Sequence, residues 1–233
     1  ELCKGELTGD EVGSTEIRLN PGKIQGREIN VEIETAGSVC LVLQTLMIPA
    51  MFSNSKTTIK FRGGATDTFF APTIDYLKNV TLPMLRRIGY SGEVECKRRG
   101  HYPKGGARVK AQIYPVKKIE PLHLEKPGEI KSISGKSHSV KLPDHIAKRE
   151  AESAEKYLEE SGYKANIEIE SYKKSEDPHI APGTGITLWA KSEKDAILGD
   201  SALGKKGKPA EVVGKEAAEG LVEQLKTGRS LDL

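Results

Sequence analysis

The chain has 233 residues and a formal net charge of +3, from 36 Lys plus Arg against 33 Asp plus Glu. Hydrophobic residues make up 36 % and mean hydropathy is −0.46, which predicts a soluble protein with one large or two small cores and no membrane partner. Cys3, Cys40 and Cys96 are few and widely spaced, with no CxxC pair, so reduced cytoplasmic thiols are expected rather than a disulfide framework or a zinc ribbon.

The chain opens ELCKGELTGD, acidic and polar, which does not read as a signal peptide. Residues 17–19 predict a short strand closed by Asn20-Pro21-Gly22. From Glu28 to Glu34 the residues alternate, with Ile29, Val31 and Ile33 on one face and acids or Asn30 on the other, a half-buried strand. The run from Val39 to Phe52 is almost wholly apolar behind the helix cap Ser38. It is too short for a bilayer, and it predicts a helix buried on nearly every side. Gln44 interrupts it. A buried amide must be hydrogen-bonded, so Gln44 is either a core residue satisfied by neighbouring backbone or the polar wall of a ligand pocket.

Residues 57–61 predict another strand, Gly63-Gly64 a turn, and residues 74–88 a helix that Pro83 should kink. Strands follow at 93–96 and 108–114. Composition shifts at Glu125-Lys126-Pro127-Gly128, which predicts a boundary between 1–124 and a second unit at 125–228. In that unit a strand at 130–134, a helix from Pro143 to Ser161, strands at 166–172, 185–190 and 196–198, and a helix from Pro209 to Lys226 stopped by Gly228 are expected. The alternation is that of an α/β protein with helices stacked on sheets.

Three patterns bear on chemistry. Gly199 to Lys206 nearly spells a phosphate-binding loop but lacks the Ser or Thr after its lysine; a basic surface loop is the better account. The histidines at 101, 123, 138, 145 and 179 are scattered, and none stands at metal-ligand spacing from another. The segment Arg98-Arg99-Gly100-His101-Tyr102-Pro103-Lys104-Gly105-Gly106 gathers cations, an aromatic and glycines between two strands. Guanidinium and ammonium groups bind phosphate and glycines let a ligand approach the backbone, so Arg99 and Lys104 are candidate phosphate or RNA contacts. The alternative is a solvated basic hairpin.

Taken in order, six stretches resemble the RNA 3′-terminal phosphate cyclase family. They are Thr35 to Val39 with Leu43-Gln44-Thr45, Gly63-Gly64 with Thr66-Asp67 and Ala71-Pro72, and Arg99 to Gly106. Further on come Leu142-Pro143 with Ala147 to Arg149, Gly183 to Ile186, and Ala210 to Gly214 with Glu216 to Ala218. The resemblance implies α/β (α+β) architecture: repeated units of a sheet on two helices, with a smaller inserted thioredoxin-like domain. Residues 1–124 would be part of the core, 125–228 the insert, and 229–233 the start of a return to the core.

It also implies an ATP-dependent ligase that converts an RNA 3′-phosphate to a 2′,3′-cyclic phosphate through adenylated intermediates, using ATP and a divalent metal, Mg or Mn. Gln44 matches a glutamine that contacts ATP, and Pro72 a proline that packs on adenine. Family members extend past both ends of this stretch. Their acidic, metal-binding Gly-Gly-Gly-Gln segment lies before it and their nucleophilic histidine after it, so no catalytic residue is assigned here and the chain by itself is expected to be inactive. The non-catalytic relative of ribosome assembly is the alternative function, and retention of Gln44, Ala71-Pro72 and 183–186 leans toward the true cyclases. Self-association is left open.

Overall fold

The computed structural model describes residues 2–230; residues 231–233, within the segment expected to return to the core, lie outside the described residues. A two-stranded antiparallel ribbon of β1 (Glu6–Thr8) and β2 (Arg18–Asn20) comes first. The first large sheet follows, built from β3 (Glu28–Ser38), β4 (Thr57–Ala65), β5 (Ser91–Arg98) and β6 (Arg108–Tyr114) in the order β3-β4-β6-β5. β3 and β4 are parallel because a helix, α1 (Val39–Ala50), carries the chain back across the sheet; the other pairs are antiparallel. Ile59 and Phe61 of β4 and Val109, Ala111 and Ile113 of β6 turn into the core, while Lys60 and Arg62 between them face solvent. That is the period of two expected of a sheet covered on one face.

Ser38 Oγ accepts the Leu41 N–H at 3.2 Å and starts α1. The helix lays Val39, Cys40, Leu43 and Met47 on the sheet, yet Leu41 is 47 % and Ile48 40 % exposed. The sequence-based expectation of a helix buried all round is therefore corrected: one face packs, and the described residues leave the other uncovered. The 74–88 helix is also different in kind. It runs as α2 (Ile74–Tyr76), a π-helical turn at Leu77–Thr81, and α3 (Leu82–Arg86), with Pro83 in the first turn of α3. The wide turn before Pro83 accommodates a ring that has no N–H and would crowd a carbonyl in a regular helix.

The second sheet has strands β7 (Ile130–Val140), β8 (Ala165–Ser171), β9 (Gly183–Ser192) and β10 (Ile197–Leu203) in the order β10-β9-β7-β8. Helices α4 (His145–Glu160) and α5 (Ala210–Lys226) pack on it and on each other. They cross closely because α5 offers Gly214, where a Cβ would stand 2.0 Å from the Glu150 carbonyl oxygen. Leu158, Ile186, Leu188, Val213 and Leu221 form this core, separate from that around Leu43, Met47, Ile59 and Leu77. Each sheet thus carries two helical segments, the α/β arrangement expected. Residues 199–203, the start of the near-phosphate loop, lie in the strand β10.

The two sheets meet along α2, the π turn, β9 and β10. The Thr73 and Thr187 hydroxyls lie 2.8 Å apart there, and Gly199 of β10 admits the Val80 methyl, which a Cβ would approach to 2.6 Å. No helix among the described residues is long and apolar enough to cross a membrane.

Candidate functional site

Glycine places the site. Near its end β4 carries Gly63 and Gly64, with φ of +85° and +73°, a region that side chains disfavour. The Gly64 carbonyl receives the Ala107 N–H at 3.1 Å, and a Cβ on Gly100 would sit 2.2 Å from its oxygen. The end of β4 can therefore lie directly against the 100–106 hairpin. Thr66 fastens the two: its N–H donates to the Gly100 carbonyl at 2.9 Å and its Oγ1 accepts the Gly100 N–H at 3.1 Å. This brings Asp67, just past β4, beside Arg99 and His101.

Arg99 is 3 % exposed and lies in a cage of carboxylates. Its Nη1 donates to Asp67 Oδ2 at 3.2 Å, its Nη2 to Asp75 Oδ2 at 2.6 Å, and its Nε and Nη2 to the two oxygens of Glu170 at 3.0 and 2.8 Å. Asp67 and Asp75 come from the first sheet's connections, whereas Glu170 is on β8 of the second. Burial works against the charge on Arg99, but the three carboxylates outweigh it and hold its pKa well above the ordinary value. Burial also raises Glu170, and the Arg99 hydrogen bonds and charge overcome it, leaving that carboxyl at about 2. Asp75 is drier: burial prevails over Arg99 and its pKa is raised. Lys136 of β7 reaches Glu170 at 3.8 Å. A cavity of about 60 Å³ opens over the cage, edged by Lys78, Arg98, Lys136, Tyr172 and His179.

Three histidines surround this cage. His101 and His138 have ring centroids 5.1 Å apart, and both Nε2 atoms are buried without a hydrogen-bond partner. Burial lowers the pKa of His101; burial, then the Arg99 charge, lowers His138 well below the ordinary value. Both rings are therefore neutral near pH 7. His179 stands against Tyr172 edge-on, with its Nδ1 2.8 Å from Asp177 Oδ1. Burial lowers its pKa too, against the pull of Asp177. The scatter of histidines along the sequence is thus deceptive: the fold gathers Asp67, His101 and His138 so that one ligand atom of each lies within 4.8 Å of the others. The absence of metal-ligand spacing along the sequence therefore does not keep histidines apart in the fold, since spacing along a chain reports only ligands on one element.

The residues singled out from sequence fall in four places. Gln44 is half-buried on α1 between exposed Leu41 and Ile48, with no hydrogen-bond partner for its amide among the described residues. The fully buried, backbone-satisfied glutamine is therefore not what the structure has. Pro72 is half-buried on the connection from β4 to α2, and Lys104 is exposed at the hairpin tip beside Tyr102, itself 74 % exposed. Arg99 is unlike Lys104: its donors already face carboxylates inside the protein, so a phosphate would have to displace one of them. Sequence reading missed Asp75, His138 and Glu170, whose neighbours at the site are all distant in sequence. The signal that bears on His138 is a glycine inside a strand, Gly185 of β9, which marks a close approach.

A family profile described as RNA 3′-terminal phosphate cyclase matches residues 1–225. The chain belongs to that family. Curated cyclases named RNA 3′-terminal phosphate cyclase include one from Methanopyrus kandleri, 49 % identical over 100 % of this chain and 66 % of its own length. Others are from Ignicoccus hospitalis, 44 % identical over 100 % of this chain and 65 % of its own, and Caldivirga maquilingensis, 41 % over 99 % and 65 %. The chain therefore spans just under two thirds of the cyclases it matches.

Proposed function

We propose that the protein serves RNA 3′-phosphate cyclisation, with ATP and an RNA bearing a 3′-phosphate as its substrates and Mg or Mn as the accompanying cation. The observation that carries this reading is similarity along the whole chain to proteins that bear the cyclase name. ATP supplies the activation: a phosphomonoester is a poor electrophile until it carries a good leaving group, and the neighbouring 2′-hydroxyl is then already held close to phosphorus. In this chain Gln44 presents an amide free to pair with a nucleotide, and Pro72 an apolar surface for the adenine. Lys104, a mobile point charge at an exposed hairpin tip, attracts the phosphate or the RNA backbone. Residues 1–124 belong to the cyclase core and 125–228 to its insert in this reading, and the protein works in the cytoplasm.

Gln44→Ala removes one or two hydrogen bonds to a bound nucleotide and should weaken ATP binding about tenfold, near 1.4 kcal/mol. Thr45→Ala, next to it but bonded to the Leu41 carbonyl, should leave binding unchanged. Calorimetric titration with ATP measures both, and unaltered affinity in Gln44→Ala would remove the glutamine from the site. Incubation of a full-length cyclase that carries this stretch with ATP and a 3′-phosphorylated oligonucleotide tests the reading itself: the expected product resists phosphatase, and a 3′-phosphate left fully sensitive counts against it.

A further inference from the structure

We propose that Asp67, His101 and His138 form a buried site for a borderline transition-metal ion of the zinc class, which ties the two sheets together. Asp67 follows β4 and His101 sits in the hairpin of the first sheet, while His138 lies on β7 of the second. Their exposures are 2, 6 and 2 %.

Four observations converge on a cation. First, the two Nε2 atoms are buried and lack any partner. Buried polar atoms are nearly always satisfied, and the rings do not satisfy each other. One metal ion satisfies both. Second, a carboxylate completes the set, with all three ligand atoms within 4.8 Å of one another. Bonds to zinc of about 2.0–2.1 Å imply ligand edges of roughly 3.4 Å in a tetrahedron, so a modest inward adjustment of side chains suffices.

Third, the ligands are already held. Asp67 Oδ2 accepts from Thr66 Oγ1 at 2.6 Å and from Arg99, the outer-shell support that fixes a carboxylate ligand. Strand β9 provides a bare floor under both rings. A Cβ on Gly183 would lie 2.1 Å from Cγ of His101, and one on Gly185 3.3 Å from Cε1 of His138. Fourth, charge calls for a cation. Arg99 faces Asp67, Asp75 and Glu170, and Lys136, the second cation in reach, is shared with Glu168. Three buried or half-buried carboxylates against those two cations leave excess negative charge, which a divalent ion offsets.

Two imidazoles and one carboxylate suit Zn²⁺, Co²⁺, Ni²⁺ or Fe²⁺, whereas Mg²⁺ and Ca²⁺ take oxygen ligands. The site is therefore of another kind from the hard cation that accompanies ATP. Its burial, and its ligands from both sheets, make it a structural clamp.

The test is metal analysis of the purified protein, followed by chelation and reloading with Zn²⁺ or Co²⁺. The expected result is about one ion per chain by elemental analysis, a melting temperature that falls on chelation and recovers with Zn²⁺, and the visible bands of low-coordinate Co²⁺ in the reloaded wild type. His138→Ala and His101→Gln should each lose the ion. The Co²⁺ spectrum of the wild type decides the matter even if a variant fails to fold. Absence of bound metal together with no thermal shift on adding Zn²⁺ overturns the proposal. So does an ion retained in folded His101→Gln and His138→Ala, which would place it elsewhere.

Discussion

Replacing Arg99 with methionine should destabilise the protein by roughly 3–5 kcal/mol, the expected loss when one member of a buried ion-pair set is removed. The cause is what stays behind. Asp67 and Asp75 have side chains only 0 and 4 % exposed, and Glu170 21 %. Without the guanidinium they face one another with Lys136 alone in ion-pair reach, at 3.8 Å from Glu170. Lysine at position 99 should recover only part of the loss, because one ammonium cannot reproduce five donors spread over three carboxylates. Urea unfolding measures both variants. A loss under about 1 kcal/mol for the methionine variant would mean that the carboxylates find water or take up protons at little cost.

The second large effect is on pH dependence and resides in Glu150. This carboxyl, on α4, is fully buried, and it accepts from Ser137 Oγ at 2.9 Å and Thr184 Oγ1 at 2.8 Å. Burial pushes its pKa from 4.5 up to about 7, with the two hydroxyls only partly opposing. A carboxyl raised on folding holds its proton more tightly in the native state than in the unfolded one. Its ionisation therefore subtracts stability: nothing is lost below the unfolded pKa, the loss grows between about 4.5 and about 7, and it is complete above. At about 1.4 kcal/mol per pKa unit the full penalty is on the order of 3 kcal/mol. Glu150→Gln, neutral at every pH and similar in shape, should thus be the more stable protein at pH 8 by about 1–3 kcal/mol and show no advantage near pH 4. Denaturant curves at the two pH values test this. An advantage of equal size at both would show that charge is not the cause.

Much of the fold was legible because each element announces its own period. Ile29, Val31 and Ile33 alternate along β3, and Val213, Ala217 and Leu221 recur at helical spacing along α5. The π turn was not legible. Pro83 signals an interruption, but whether the chain kinks or widens depends on the packing of Leu77 and Val80. The ordered motifs led to the family, whereas the carboxylate cage around Arg99 was not legible in the sequence. A guanidinium in a glycine-rich hairpin gives no local sign that Glu170, on a strand of the other sheet, meets it. Glu168 and Glu170 both fall on the acidic side of β8 by alternation, and nothing local separates the exposed one from the one turned toward the cage. Likewise Asp75, an acid in the first turn of a helix, would ordinarily be read as favouring the helix dipole.

The partners of Arg99 lie 24, 32 and 71 residues away along the chain. No local segment can neutralise it, so its guanidinium must stay hydrated until distant parts have formed and come together. Closing such long loops is slow compared with making helices or hairpins. The junction of the two sheets therefore dries only when both stand, a keystone between two arches.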